Sequence, residues 1–234
     1  MKESGALEPL RACLSALQLP QIVHGRRAVI LFEGPQGAAK KRALREVASA
    51  FDPCHVVVHN IVYDRRQSAE GHWLARFWRS LPAAGSTSIF FRSWYRRVLD
   101  DRILGRTDEA ALTRAFDEIN EFEAQQRDYG TLIVKLYFDV AADVQDQRLR
   151  ERASDPWLGV IRSDDVIRVS DAGYSRALED LKLLTDTRWS PWKFIDANDE
   201  MAAADAALAA VATAWEKAMP SEPPRLVSAP TQAA

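Results

Sequence analysis

Cysteine is scarce in this chain. Cys13 and Cys54 are the only two in 234 residues, with neither a metal-ligand spacing nor a disulfide framework, so a reducing, cytoplasmic setting is expected. Long apolar runs are also missing. Nothing approaches the ~20 residues that a membrane span requires, and the N-terminus has neither the basic start nor the continuous apolar core of a secretory signal. A membrane partner and export are therefore not expected. An excess of positive charge is absent too, since the net charge of −2 argues against a general nucleic-acid binder. Any polyanionic ligand must be met by a local basic surface. His24, His55, His59 and His72 show no H-E-x-x-H or similar spacing, so a zinc site is not expected. No G-x-S-x-G elbow or cysteine–histidine signature points to acyl transfer, and no internal repeat divides the chain. With 47% hydrophobic and 27% charged residues, what remains is a globular domain of ordinary composition.

The most informative stretch runs from Ala28 to Leu44. An apolar run, Ala28 to Phe32, suits a strand buried on both faces, while Leu44, Val47, Ala48 and Phe51 recur at helical spacing. Between them, Gly34 and Gly37 permit a tight turn. Amide groups of such a turn, and of a helix starting at about Ala38, would face one concavity whose positive potential the helix dipole reinforces. Phosphate is the expected guest. Lys40 falls where G-x-x-x-x-G-K-[ST] places its lysine, but Ala39 replaces the last glycine and Lys41 replaces the magnesium-binding hydroxyl. The match is partial, and ordinary α/β architecture would read similarly.

Residues 5 to 19 read as an amphipathic helix that Pro20 ends, within an N-terminal helical lead-in of residues 1–24. Val56–Val58 and Ser88–Phe91 read as short buried strands, Leu132–Phe138 as a longer one and Trp192–Ile195 as the last, making five with Ala28–Phe32. Helical stripes separate them, marked by Leu112, Ala115, Phe116, Ile119 and Phe122, and later by Leu208, Val211 and Trp215. Alternation of strand and helix predicts an α/β, three-layer fold with a mainly parallel five-stranded sheet covered on both faces. Ligands then bind beyond the carboxyl ends of the strands, where the Gly34 loop, Arg92 and Asp139 would lie. The segment from about Ala141 to Asp186 carries Arg148, Arg150, Arg152, Arg162, Arg168 and Arg176 among acids, which suits either a lid or a solvated helical pair. One domain, 25–218, is predicted, followed by a tail, 219–234, whose composition predicts disorder. Trp73 and Phe77, at i and i+4, are read as core, and packing is the default for Trp94 and Tyr95.

Several further segments follow one another in order. They are Glu70 to Pro82 (E-G-H-W-L-A-R-F-W-R-S-L-P), Ile89 to Leu99 (I-F-F-R-S-W-Y-R-R-V-L), Ile119 to Glu123, Lys135 to Phe138, Gln147 to Arg152 with Asp155-Pro156, and Ser190 to Ala197. This succession, over roughly residues 25 to 217, resembles the polyphosphate kinase 2 family. The R-F-W-R-x-L-P segment is particularly like members that phosphorylate nucleoside mono- or diphosphates, some of them built from two fused copies. The resemblance implies a P-loop kinase-like core with a helical lid, and transfer of a phosphoryl group between inorganic polyphosphate and a purine nucleotide with magnesium. It also implies that homo-oligomers form. On the same resemblance Lys40 would contact the transferred phosphate and Arg92 would stabilise its developing charge. Gly34 and Gly37 would belong to the phosphate-binding turn, while Lys41, Arg42 and lid arginines such as Arg148 and Arg152 would track the polyphosphate chain.

Two positions depart from the family pattern. Gln36 stands where the family loop has an aspartate, and Phe91 where F-D-R-S-W-Y has its aspartate. Glutamine binds a hard cation more weakly than a carboxylate, and phenylalanine does not bind one in this way. Glu33 and Asp139 are the candidates for a relocated metal ligand, with caps and hydrogen-bond acceptors as their alternative roles. The chain therefore reads as a phosphotransferase with an altered metal arrangement. The alternatives are a family member that binds polyphosphate and nucleotide without efficient chemistry, and another P-loop kinase acting on a small molecule.

Overall fold

The computed structural model describes residues 7–62, 71–158 and 166–224. Five strands, β1 Arg27–Glu33, β2 Val56–Asn60, β3 Thr87–Phe91, β4 Thr131–Asp139 and β5 Trp192–Asp196, form one sheet in the order β2-β3-β1-β4-β5. Every pairing is parallel. Parallel neighbours need crossovers, and helices supply them. The helices among the described residues are α1 Leu7–Val23, α2 Lys40–Ser49, α3 Ala75–Trp78, α4 Asp100–Ile103, α5 Glu109–Asp128, α6 Ala142–Ser154, α7 Tyr174–Thr185 and α8 Glu200–Ala218, of which α1 precedes β1 and α8 follows β5.

Alternation along β1 divides the core into two layers. Ala28, Ile30 and Phe32 join Leu14, Val47, Leu208 and Trp215 on the side covered by α1, α2 and α8. Val29 and Leu31 join Phe90, Trp94, Phe116 and Leu181 on the side of α5 and α7. Because successive side chains of a strand point to opposite faces, a continuous apolar run is what a strand between two helical layers requires. The helical stripes are buried as their periodicity predicts, Leu112 to Phe122 on α5 and Leu208, Val211 and Trp215 on α8.

Three local expectations change. Helix α1 does not stop at Pro20 but continues to Val23, with the His24 amide donating to the Pro20 carbonyl at 3.0 Å. Near a helix end, proline removes one bond while the packing of Gln21 holds the last turn: its amide donates to the Thr87 hydroxyl at 2.9 Å and its carbonyl oxygen accepts from Trp215. Strand β2 is not buried as expected. It lies at the sheet edge, where Val57 and Val58 are exposed. Helix α2 starts at Lys40, two residues later than the pattern implies, because Ala39 takes a left-handed conformation with φ of 51°. Of the segment expected to be lid, α6 and α7 are described, whereas Arg162 lies outside the described residues. Met219 is buried against the core, and the part of the expected tail from 225 onward also lies outside them.

The topology reverses at β1. The chain moves from β1 outward to β2, returns to β3 beside β1, then crosses to β4 on the other flank. Such a switch point opens a crevice at the carboxyl ends of the strands. Residues 34–39 leave β1 there, and Arg92 follows β3 there, its amide donating to the Phe32 carbonyl at 3.1 Å.

Candidate functional site

The loop after β1 makes close approaches that only glycine permits. Gly34 has φ of +127°, and a Cβ there would meet the Phe138 carbonyl oxygen at 2.5 Å. Gly37, at φ +83°, lies so near Gln145 that a Cβ would stand 3.2 Å from its side chain. Helix α6 holds this loop from outside. The Gln145 amide donates to the carbonyls of Gln36 and Ile167, and Arg148 donates to the carbonyls of Gly37, Ala197 and Asn198 at 2.7 to 2.9 Å. Arg148, expected to track a polyanion, is thus engaged in fixing the loop. Arg152 lies one turn further along α6, half-buried.

Lys40 opens α2 with only 5% of its surface exposed, and its ammonium donates to the carbonyls of Gly34 and Pro35. The same group lies 5.8 Å from the centre of the Phe91 ring. Burial depresses its pKa, and the nearby Arg92 charge adds to the effect. Lys41 is exposed, whereas Arg42 is half-buried with its Nε lacking a hydrogen-bond partner among the described residues.

Arg92 has φ of 65°, a conformation that side chains with a Cβ adopt at a cost of about 1–2 kcal/mol. Its surroundings impose that geometry. Glu33, at the end of β1, accepts from both the Ser93 amide and the Ser93 hydroxyl at 2.6 Å. Trp94 and Tyr95 follow in a buried turn, with the Trp94 indole donating to Glu123 at 2.9 Å. Both aromatics are core, as expected. The Arg92 guanidinium then lies 3.9 Å from Asp100, which is at the same distance from Arg96. Glu33 is buried, and desolvation raises its pKa against the lowering by its Ser93 bonds. Of the two metal-ligand candidates, Glu33 therefore serves as a strand-to-strand clamp. Asp139 is exposed at the end of β4.

A cavity of about 590 Å³ adjoins this edge at Ser93. Trp73, Arg76, Arg97, Arg114 and Glu118 are among its walls. Trp73 is consequently not wholly core: it is half-buried, and its indole donates to Glu118 at 2.6 Å while His72 approaches the same carboxylate at 3.3 Å. Phe77 beside it is fully buried, as the i, i+4 spacing predicts.

The loop, the lysine and the arginine occupy one sheet edge, and the cavity adjoins it at Ser93. The sequence model of Polyphosphate kinase 2 (PPK2) matches residues 2–223. The chain belongs to the polyphosphate kinase 2 family. It is 36% identical over 192 residues to the polyphosphate:AMP phosphotransferase of Pseudomonas syringae pv. tomato, covering 81% of this chain and 39% of that protein. The polyphosphate:AMP phosphotransferase of Pseudomonas aeruginosa is 36% identical over 174 residues, 74% of this chain and 35% of its own length. The chain thus spans less than two fifths of the length of either relative. The crystal structure of Polyphosphate Kinase 2 from Arthrobacter aurescens TC1 superimposes with a TM-score of 0.82 at 27% sequence identity, covering 94% of this chain and 80% of that one.

Members of this family are phosphotransferases, typically metal-dependent. Among the described residues no three His, Cys, Asp or Glu side chains come together at metal-binding distance. Residues that sequence reasoning missed are Asp100, Gln145 and the cavity arginines. The i, i+4 spacing of Arg96 and Asp100 was a legible signal for the first. Gln145 and Arg114 carry none, because their roles depend on which helix packs where.

Proposed function

We propose that this chain binds inorganic polyphosphate at the Gly34–Lys40 loop and transfers a terminal phosphoryl group between it and a nucleoside mono- or diphosphate. The cavity beside Trp73 takes the purine nucleotide. The observation that carries this reading is a glycine loop with a buried lysine beside a strained Arg92, whose neighbour Ser93 lines the arginine-lined cavity.

In the direction of nucleotide synthesis, a phosphate oxygen of the acceptor attacks the terminal phosphorus of polyphosphate. The new P–O bond forms in line as the bond to the penultimate phosphate breaks, and the shortened chain leaves with the electron pair. Such a transition state spreads negative charge over the equatorial oxygens, so positioning and cationic stabilisation dominate. Lys40 releases its two loop carbonyls and meets the transferred phosphate, whose charge favours the protonated ammonium that burial disfavours. Arg92 meets the developing charge from the β3 side. Lys41, Arg42 and Arg152 flank the remaining polyphosphate, while Arg148 and Gln145 keep the loop in shape. Magnesium is the ion this family reading implies, and no step here is assigned to it. A cytoplasmic setting fits the free cysteines and the lack, among the described residues, of a helix long and apolar enough to cross a membrane.

The test is ion-exchange chromatography of nucleotides after incubation of wild type and Lys40→Ala with polyphosphate, magnesium and AMP, ADP, GMP or GDP in turn. Phosphorylated product from wild type alone supports the proposal and names the acceptor. No product from folded wild type with any of the four overturns it.

A further inference from the structure

Two carboxylates at the proposed site, those of Glu33 and Asp100, are engaged with neighbouring groups. Glu33 has 3% of its surface exposed, and one of its oxygens already takes both hydrogen bonds of Ser93. Asp100 stands between two guanidinium groups, those of Arg92 and Arg96. Asp139 is exposed at the end of β4, and its backbone oxygen accepts from Ala197 at 2.7 Å. The two positions where the resemblance expects acids offer a neutral amide, Gln36, and an aromatic ring, Phe91. Phe91 packs against the apolar layer of α1, α2 and α8, and its ring faces the Lys40 ammonium at 5.8 Å. A ring at this distance attracts a cation through its quadrupole without supplying a lone pair.

Magnesium requires near-octahedral oxygen ligation and dehydrates reluctantly, so it normally depends on one or two protein carboxylates to anchor it beside phosphates. Here the two acids whose charges reach Lys40, Glu33 and Asp100, are held by Ser93 and by two guanidinium groups, and positions 36 and 91 are neutral. We infer that this chain binds polyphosphate through its lysine and arginine charges without any divalent cation held by its own side chains. The inference rests on the polyphosphate reading above. Any metal that takes part in transfer is then brought on phosphate oxygens, and binding of the chain does not wait for it.

Two measurements decide this. The first is electron paramagnetic resonance of Mn²⁺ titrated into protein alone, with Mn²⁺ as the probe for a divalent site. Wild type is expected to leave the free-ion signal unchanged, whereas Gln36→Asp/Phe91→Asp is expected to diminish it. Gln36→Asp alone, which leaves the Phe91 packing intact, is the second variant should the double variant fail to fold. The second measurement is calorimetric titration with polyphosphate in magnesium and again in EDTA. Wild-type affinity is expected to change by no more than about threefold, the scale of simple screening, and the aspartate variants to lose about tenfold or more in EDTA.

Stoichiometric Mn²⁺ binding by wild type, or a tenfold or greater loss of its polyphosphate affinity in EDTA, would overturn the inference. No gain of Mn²⁺ binding in either folded variant would overturn the assignment of positions 36 and 91. Absence of polyphosphate binding in both buffers would instead sink the functional reading, while the Mn²⁺ titration still decides whether the side chains hold a divalent ion.

Discussion

Two buried lysines, one on each face of the same sheet, are used in opposite ways. Lys135, on β4, is fully buried, and its ammonium donates to Glu123 at 3.1 Å, to the Thr185 carbonyl at 2.7 Å and to the Tyr95 hydroxyl at 3.3 Å. The Trp192 ring closes its surroundings at 5.3 Å. All three protons have acceptors and a carboxylate balances the charge, which is what a buried ammonium needs to persist. Lys40 is nearly as buried, but its ammonium donates to two loop carbonyls and rests against the Phe91 ring. Burial lowers both pKa values; at Lys135 the bonded Glu123 opposes the shift, whereas at Lys40 the Arg92 charge adds to it and the Asp100 and Glu33 charges oppose it without a hydrogen bond to the ammonium. One lysine closes a structure, and the other is left wanting an anion. Burial alone therefore does not separate scaffold from site; the state of the hydrogen-bond partners does.

The largest effect should come from breaking the closed side. Lys135→Ala leaves Glu123 charged in a dry core and is expected to lower stability by about 3–5 kcal/mol in guanidinium unfolding. Lys135→Met combined with Glu123→Gln keeps the acceptor of the Trp94 indole and should recover most of that loss, because a buried ion pair is replaceable by neutral groups of similar volume. Recovery by the double variant sharpens the contrast, and a cumulative loss would break it.

At the open side the expected effect moves from stability to chemistry. Lys40→Ala should reduce the transfer rate by roughly 10²–10³-fold, the scale on which one preorganised donor to a developing charge acts. Its thermal midpoint should fall little, if at all. A midpoint loss matching that of Lys135→Ala would mean that Lys40 is scaffold after all.

Glu33 gives the next effect, and its sign follows from its burial. Its folded pKa is raised to about 7 from an ordinary carboxylate value, so the fold prefers the protonated acid. That contribution is fully present below the unfolded pKa and is lost as pH rises through the folded one. Glu33→Gln retains an acceptor for Ser93 and cannot ionise. Its stability should therefore match wild type at acidic pH, exceed it progressively as pH rises from the ordinary carboxylate range to about 7, and level off above that, the gain being at most about 1.4 kcal/mol for each unit crossed. A pH-independent difference would show that folding does not shift the Glu33 pKa.

The smallest effect belongs to Ala39, which occupies a left-handed conformation at the start of α2. Ala39→Gly should raise stability by about 1 kcal/mol in thermal unfolding, because glycine adopts positive φ without a Cβ clash. A loss would mean that the Ala39 methyl, which packs against the core of the α1, α2 and α8 face, contributes more than the strain costs.

Much of the fold was legible because the elements that build it are local. All five strands coincide with apolar runs, although β2 at the sheet edge is less covered than its run predicts, and Gly34 and Gly37 announce a turn that the backbone makes. Lys40 and Arg92 were legible by motif and do meet at one sheet edge. Arg148 was not, since its guanidinium found carbonyls of a loop and a strand end more than forty positions away. Glu33 read as a possible metal ligand until β3 brought Ser93 beside it. Trp73 read as core because helical spacing reports which residues share a face and not whether a cavity opens against that face.

By itself, then, the sequence determined the parallel α/β layering, the glycine turn after β1 and the family, all of which rest on short-range patterns of apolarity, glycine and spacing. Only the tertiary structure decided which lysine is paired with a carboxylate, which acids are clamped, and where an arginine-lined cavity opens beside Ser93. Those outcomes depend on contacts between distant segments, where desolvation sets the energy of a charge and the partner that arrives sets its role.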